Sequence, residues 1–173
     1  MEEETKGYLP DWQAGFRQNR GCRDNVMVLR TLYNKMLQEG KEMAVTFIDY
    51  SVAFDSVSHK FIDMTLEEVG AKPRTRALFR AVYGGAAAMA KVKDVDGKFV
   101  LSKRFPVRRG VVQGDITSPF YFILALEAVL RRHDVIEGKG VDFGGSRIHT
   151  LGYADDAALI DSSVKTATAR VLK

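Results

Sequence analysis

Residues 153–160 read Tyr-Ala-Asp-Asp-Ala-Ala-Leu-Ile, so that two adjacent aspartates stand between apolar residues. The apolar runs predict two short strands, 147–153 and 157–161, joined by a turn at 154–156. Two neighbouring carboxylates near a core are costly, because like charges repel and burial disfavours the ionised forms. Asp is also common in ordinary turns. A turn held between two apolar strands is nevertheless how catalytic carboxylates are often presented.

A third carboxylate follows another apolar run. Asp49 comes directly after residues 44–48, which are β-prone and favour a buried strand. Adjacent carboxylates and a third from another strand can hold two divalent cations about 4 Å apart for phosphoryl transfer. Hard oxygen ligands select Mg²⁺ or Mn²⁺ over Zn²⁺. Spacing alone does not bring Asp49 to Asp155, because a long stretch of chain separates them.

The rest of the chain reads as one continuous α/β (α+β) unit. A hairpin is predicted where the β-prone segments 89–95 and 99–105 flank Asp96-Gly97. Apolar residues at helical spacing, with Gly or Pro near the helix ends, predict four helices and the start of a fifth. These are 23–39, 59–69, 73–83, 118–133 and the segment from 162 onward.

The composition excludes several classes of protein. With 173 residues, 46% hydrophobic and 28% charged, the chain fits one globular domain and is neither disordered nor rich in membrane spans. The acidic N-terminus is unlike a signal peptide, and the single Cys22 fits a reducing compartment. We therefore expect an intracellular protein, in the nucleus or cytoplasm, that is not secreted. The net charge of +4 comes with three basic clusters that are compatible with either a nucleic-acid groove or solvated surface.

At this point the chain resembles a known family. Residues 153–156 resemble the signature turn of reverse transcriptases, and four further segments match in the expected order. They are a fingers motif at 13–26 (Gln-Ala-Gly-Phe-Arg-Gln-Asn-Arg-Gly-Cys-Arg-Asp-Asn-Val), the first palm motif at 47–55 (Phe-Ile-Asp-Tyr-Ser-Val-Ala-Phe-Asp), the hairpin at Asp96-Gly97, and a Gly-x-x-Gln-Gly motif with Ser-Pro within 109–119. The resemblance covers about residues 12–161 and is nearest to the non-LTR (LINE-type) retrotransposon enzymes.

The resemblance implies an active site. The residues matching Asp49 and Asp155 bind both catalytic metals in the family, normally Mg²⁺ with Mn²⁺ possible. Asp156 shares that site as a weaker or indirect ligand, and the backbone carbonyl of Tyr50 helps to hold a metal. These residues are therefore the expected catalytic and metal-binding set.

Further positions carry expected substrate contacts. The ring of Phe54 resembles the sugar gate that favours dNTPs over rNTPs; without the resemblance it reads as a core aromatic. Gln113 matches a residue that contacts the incoming nucleotide, and Gly114 permits a close backbone approach; otherwise the pair reads as a turn. Arg17 and Arg20 look like fingers residues near the template, or equally like surface charge.

The resemblance implies an RNA-directed DNA polymerase that joins dNTPs to a DNA primer on an RNA template. Residues 1–40 would be part of the fingers and 41–173 a polymerase palm with an antiparallel sheet packed on helices, ending before the thumb. The remaining fingers, the thumb and other polyprotein domains would lie outside this chain, and no membrane is implied. A catalytically silent nucleic-acid-binding fragment of a decayed retroelement remains the alternative. An RNA-dependent RNA polymerase is disfavoured by Phe54 and by Gln113-Gly114, and a nucleotide cyclase by the absence of an acidic pair after Gly144-Gly145.

Overall fold

The computed structural model describes residues 4, 5, 7–112, 114–132 and 140–172. Its helices are α1 (Cys22–Gln38), α2 (Ala53–Ser56), α3 (His59–Glu68), α4 (Pro73–Tyr83), α5 (Ser118–Arg132) and α6 (Val164–Val171). Its strands are β1 (Ala44–Ile48), β2 (Ala87–Ala88), β3 (Lys91–Lys93), β4 (Phe99–Leu101), β5 (Phe105–Pro106), β6 (Val141–Phe143), β7 (Ser146–Ile148), β8 (Thr150–Tyr153) and β9 (Asp156–Asp161).

The central sheet has the strand order β1-β9-β8, and both pairings are antiparallel. In the first pairing Ile48 lies opposite Ala157, and in the second Tyr153 lies opposite Asp156. The first and last thirds of the chain therefore meet in one sheet. The prediction of an antiparallel sheet packed on helices is confirmed.

Helix α1 covers one face of this sheet. Its buried residues Leu32 and Met36 form a cluster with Leu151, Ala158 and Ile160. Successive strand residues point to opposite faces, so Ala158 and Ile160 share a face with Asp156. The predicted boundary between fingers and palm, after residue 40, falls in the turn that follows α1. Helix α1 and the sheet nevertheless share one core.

A larger apolar cluster surrounds α5 and includes α3 and α4. Every residue of α5 from Phe120 to Ala128 is buried, which fits a helix that is apolar on nearly all sides. Pro119 stands in the first turn, where its missing N–H costs no helical hydrogen bond. None of the helices in the described part of the chain combines the length and apolar character needed to cross a bilayer.

The predicted helices agree with the structure to within a residue or two at the described ends, while His133, the predicted end of α5, lies outside the described residues. The strand predicted over 147–153 is interrupted at His149, because β7 pairs with β6 and β8 pairs with β9. The predicted three-residue turn is shorter, since Asp156 already belongs to β9. The hairpin around Asp96-Gly97 is present, but its strands are only three residues long.

Candidate active site

Asp49 and Asp156 lie beside one pocket. Asp49 follows the last residue of β1, and continuing the β1–β9 register by one residue sets it opposite Asp156. Both side chains are exposed, and both line a pocket of about 340 Å³ between the sheet and α1. Residues directly opposite in an antiparallel pair project to the same face. The sheet thus brings together two of the three predicted carboxylates.

Asp155 occupies the turn between β8 and β9. The preceding residue, Ala154, is buried and has a φ of 58°, in the left-handed region that L-residues seldom adopt. Asp155 is half-buried and does not line the pocket shared by Asp49 and Asp156. The third predicted carboxylate is therefore adjacent to Asp156 in the chain, but it lies in the turn and not in the pocket that Asp49 and Asp156 share.

The oxygen donors of these carboxylates suit a hard divalent cation. Within the described residues, no Lys, Arg or His forms an ion pair with Asp49, Asp155 or Asp156. In that same part of the chain, no three His, Cys, Asp or Glu side chains converge in an arrangement that could hold a metal ion. The donor chemistry fits the expected cofactor, although the three carboxylates do not converge on one point in the described part of the chain.

Three aromatic rings connect this turn with the predicted sugar gate. Phe54 is half-buried and stacks on Phe122 of α5, with ring centroids 4.2 Å apart. Phe16 contacts Phe54 edge-on at 6.4 Å and lies 6.0 Å from Tyr153. Phe54 is thus fixed by α5 on one side and linked through Phe16 to the strand that carries Tyr153.

The loop before α5 approaches Phe54 from another side. Gly114 is exposed with a φ of 90°, and it lines a pocket of about 330 Å³ with Phe54 and Asp115. Gln113, the predicted nucleotide contact, lies outside the described residues. The left-handed backbone at Gly114 is one that glycine adopts without a steric penalty.

A hydrogen-bond network fixes this loop. The Tyr83 hydroxyl accepts from the backbone N–H of Val112 and donates to a carboxylate oxygen of Asp115, and it shares a hydrogen bond with Ser118. Burial tends to raise the pKa of Asp115, but hydrogen bonds led by those from Thr117 outweigh it and hold that pKa below its ordinary value. The network ties the loop to α4 and α5.

The two predicted template arginines make contacts within their own segment. Arg17 donates to the carbonyl oxygens of Pro10 and Gln13, at 2.6 Å and 3.1 Å. Arg20 donates to the carbonyl and the carboxylate of Asp11, both at 2.5 Å. These contacts agree with the alternative in which both arginines shape the local fold, and a template contact stays a prediction.

Tyr50 lies half-buried at the start of the segment between β1 and α2. Burial raises the pKa of its phenol above the ordinary value. The ring packs against the α5 cluster and lines an apolar pocket with Phe61 and Phe122. The side chain is therefore committed to the core, and the predicted role concerns the backbone carbonyl alone.

Sequence reasoning overlooked Phe16, Gln13 and Tyr83 as individual residues. Phe16 and Gln13 stand within the quoted fingers motif, so the signal was present, but nothing in the spacing pointed to β8. Tyr83 reads as the last residue of a helix, and only the folded chain brings its hydroxyl to Asp115.

The model of the family described as reverse transcriptase (RNA-dependent DNA polymerase) matches residues 2–173 of this chain. Among curated proteins, the chain is 28% identical over 151 residues to a retrovirus-related Pol polyprotein from a type-1 R2 retrotransposable element of Popillia japonica. It is 29% identical over 147 residues to the polyprotein of the type-2 element R2DM of Drosophila melanogaster. The alignments cover 87% and 85% of this chain but only 21% and 13% of the two relatives.

The fold of this chain is similar to that of solved telomerase structures. A structure of apo telomerase from Candida tropicalis, truncated from its C-terminal domain, superposes with a TM-score of 0.58 at 14% identity. The match covers 88% of this chain and 31% of that one. Telomerase from Candida albicans with a fragment of telomeric RNA gives the same TM-score over 96% of this chain and 28% of the other. With the family model matching nearly its whole length, the chain belongs to the reverse transcriptase (RNA-dependent DNA polymerase) family.

Proposed function

We propose that this chain is the catalytic part of a retrotransposon reverse transcriptase that extends a DNA primer on an RNA template. The observation that carries the proposal is the β1–β9 register, which sets Asp49 and Asp156 on one face beside the Ala154-Asp155 turn. Asp49 and Asp156 are far apart in the sequence, and the pairing of β1 with β9 brings them together. The chain spans only 21% and 13% of the two polyproteins described above, so the activity of such a whole protein is proposed here as well.

Asp49, Asp155 and Asp156, with the carbonyl of Tyr50, would hold divalent metal ions, Mg²⁺ first and Mn²⁺ second. When bound, such ions activate the attacking hydroxyl and stabilise the leaving oxygen of an in-line displacement. The residues of this chain orient the reactants. The rigid sheet holds Asp49 and Asp156 on one face, and the turn supplies Asp155 from the adjoining position.

The sugar and base of the incoming dNTP would lie against Phe54 and the loop at Gly114. Phe54 cannot move away freely, because Phe122 stacks behind it. A fixed ring under the sugar would exclude a 2′-hydroxyl and so favour dNTPs. Gln113 stays a proposed nucleotide contact, and Arg17 and Arg20 stay proposed template contacts.

The domain organisation is proposed in the same way. Residues 1–40 would form part of the fingers and residues 41–173 the palm. The shared core of α1 and the sheet supports a fixed relation between these two segments. RNA template, DNA primer and dNTPs are the proposed partners.

The test is primer extension on an RNA template with Mg²⁺ or Mn²⁺. The unaltered chain should incorporate dNTPs, and Asp49→Asn and Asp155→Asn should each lower kcat by at least about 100-fold. The matched control is Asp96→Asn, which makes the same chemical change at an exposed position in the β3–β4 turn. It should leave kcat unchanged.

Two outcomes would contradict the proposal. Incorporation that persists in Asp155→Asn would remove the assigned role of the turn. Salt-dependent binding of an RNA/DNA hybrid without any incorporation would favour the silent nucleic-acid-binding alternative, since phosphate contacts alone give such binding.

A further inference from the structure

The segment 12–15 runs alongside the strand that leads into the turn. The carbonyl of Trp12 accepts from the N–H of Gly152, and the N–H of Ala14 donates to the carbonyl of Gly152, both at 2.8 Å. The side-chain amide of Asn25 donates to the same carbonyl at 2.9 Å. The outer edge of β8 is thus occupied at Gly152, two residues before Ala154.

The side chain of Gln13 continues this contact into the turn itself. Its Oε1 accepts from the backbone N–H of Ala154 at 2.9 Å and from that of Gly15 at 2.8 Å. Its Nε2 donates to the carbonyl of Ala154 at 3.0 Å. Gln13 is 2% exposed, so these hydrogen bonds are made away from water, where they are strongest.

Ala154 needs such a support. Its φ of 58° is unfavourable for an L-residue, and strained backbone persists only where the surroundings hold it. Gly15 packs so closely that a Cβ there would lie 2.2 Å from the nitrogen of Ala154. Gln13 and Gly15 together leave Ala154 little freedom, and Asp155 is the next residue in the chain.

We propose that Gln13 is a positioning residue that locks Ala154 in its left-handed conformation and thereby aims the Asp155-Asp156 carboxylates. The inference deepens the proposed function and rests on it, because the orientation of the two carboxylates matters for catalysis only if they act in it. Only a side chain with an acceptor and a donor on one planar group can satisfy both the N–H and the carbonyl of Ala154. A primary amide of the length of Gln meets this requirement.

Two variants separate the parts of this arrangement. Gln13→Met keeps the length of the side chain and removes every hydrogen bond that this side chain makes. Gln13→Glu in its ionised form keeps the two acceptor contacts and loses the donation to Ala154. Loss of the turn's support should therefore be complete in the first variant and partial in the second.

Three readouts test the proposal on the folded 173-residue chain. Amide hydrogen exchange at Ala154 and Asp155 should be faster by roughly 10-fold in Gln13→Met. Mn²⁺ binding, followed by electron paramagnetic resonance, should weaken by roughly 10-fold to 100-fold, as is usual when a residue that orients a ligand is lost. In primer extension kcat should fall by a similar factor, while affinity for the RNA/DNA hybrid stays the same. Gln13→Glu should lie between Gln13→Met and the unaltered chain in every readout.

The matched control is Ile62→Val, which weakens the core at α3 and leaves the hydrogen bonds between Gln13 and Ala154 in place. It should lower the melting temperature and leave exchange at Ala154 and Mn²⁺ affinity unchanged. If Gln13→Met behaves like this control, Gln13 is only a structural residue and the inference is overturned. If the unaltered chain incorporates no dNTP, the proposed function fails, and exchange at Ala154 still decides the role of Gln13.

Discussion

Strained backbone residues flank the candidate site on both of its sides. Ala154 precedes Asp155, and Val52 stands between Asp49 and Phe54 with a φ of 54° and a ψ of 39°. A left-handed conformation is most costly for a β-branched residue such as valine. Strain of this kind persists where neighbouring contacts hold the backbone, and here Val52 is the residue that precedes α2.

Val52→Asn should raise the free energy of unfolding by about 1 kcal/mol, because asparagine tolerates the left-handed region better than valine does. Val52 is exposed, so the change removes little packing. Urea unfolding followed by circular dichroism measures the effect. Val95→Asn is the control, since Val95 is fully exposed and its φ is not positive. An equal gain in both variants would show that backbone strain at Val52 is not the cause.

Phe54→Ala should reduce discrimination against rNTPs by on the order of 10-fold to 100-fold, because the ring that would meet a 2′-hydroxyl is gone. The measurement is kcat/KM for each nucleotide type in primer extension. Phe122→Leu provides the comparison: it removes the stacking partner and keeps the ring of Phe54. If Phe122→Leu loses the discrimination against rNTPs and Phe54→Ala keeps it, the ring of Phe54 is not the sugar gate.

Among the elements, α5 contains the least expected side chain. Glu127 is buried in this apolar helix, where its Oε1 accepts from Arg131 at 2.6 Å and its Oε2 has no hydrogen-bond partner among the described residues. The Arg131 guanidinium also lies over the ring of Tyr8, 4.4 Å from its centroid. Burial raises the pKa of Glu127, and the pairing with Arg131 offsets only part of that rise.

A raised carboxyl pKa sets the direction of the pH effect. Below the ordinary value of 4.5, Glu127 is protonated in both folded and unfolded chains and costs nothing. As the pH rises through the higher folded pKa, the buried charge becomes a full penalty. Glu127→Gln should therefore be more stable than the unaltered chain near neutral pH, and the gain should vanish as the pH falls towards 4.5.

Urea midpoints measured across this pH range test the prediction. Glu68→Gln is the matched control, because Glu68 is an exposed carboxylate paired with Arg132. Its effect should be small at every pH, as expected of surface ion pairs. A gain for Glu127→Gln that did not vary with pH would exclude titration of the buried carboxyl as its cause.

Elements with a strong local signal could be predicted from the sequence. The apolar spacing of α1, α3, α4 and α5 and the run 44–48 suffice to place them, because burial of one stripe or of a whole strand leaves a clear pattern. Helix α2 is only one turn long, and strand β6 is only three residues long. Both are too short to show a period in the sequence. The break at His149 depends on which partner each half-strand finds, which local pattern does not encode.

The candidate site was predictable to the same degree. Asp49, Asp155 and Asp156 came from recognisable motifs, and the sheet does bring Asp49 to Asp156. The direction of Asp155 depends on the backbone of Ala154 and on contacts from Gln13, which is far away in the chain. Such contacts between distant segments leave no periodic trace in the sequence.

Across the molecule, one buried ion pair ties α6 to the sheet. Arg170 and Asp161 have side chains that are 1% and 2% exposed, with Nη1 and Oδ2 3.3 Å apart. Arg170 also donates to the carbonyl of His149 and to the hydroxyl of Thr150. This guanidinium therefore joins α6, β9 and the beginning of β8.

Arg170→Met should lower the free energy of unfolding by about 3–5 kcal/mol, because it leaves the Asp161 carboxylate buried without its partner. Combining it with Asp161→Leu should restore part of that loss. Chemical unfolding gives both values. The exposed pair Arg147–Asp142 offers a control, and Arg147→Met should change stability little. If Arg170→Met and the double variant lose the same free energy of unfolding, the unpaired charge of Asp161 is not the cause of the loss. Packing alone would then hold α6 on the sheet.

The β1–β9 register also decides when this chain can fold. Ala44 pairs with Asp161, so β1 cannot join β9 until residue 161 has left the ribosome. Pairings between segments so distant in sequence form slowly, because the intervening loop must close first. Helices α1, α3, α4 and α5 can form earlier in synthesis, whereas Asp49 and Asp156 meet only after β9 has emerged. A chain that stalls before β9 keeps its helices and exposes an unpaired apolar strand to whatever chaperone or neighbouring nascent chain is at hand.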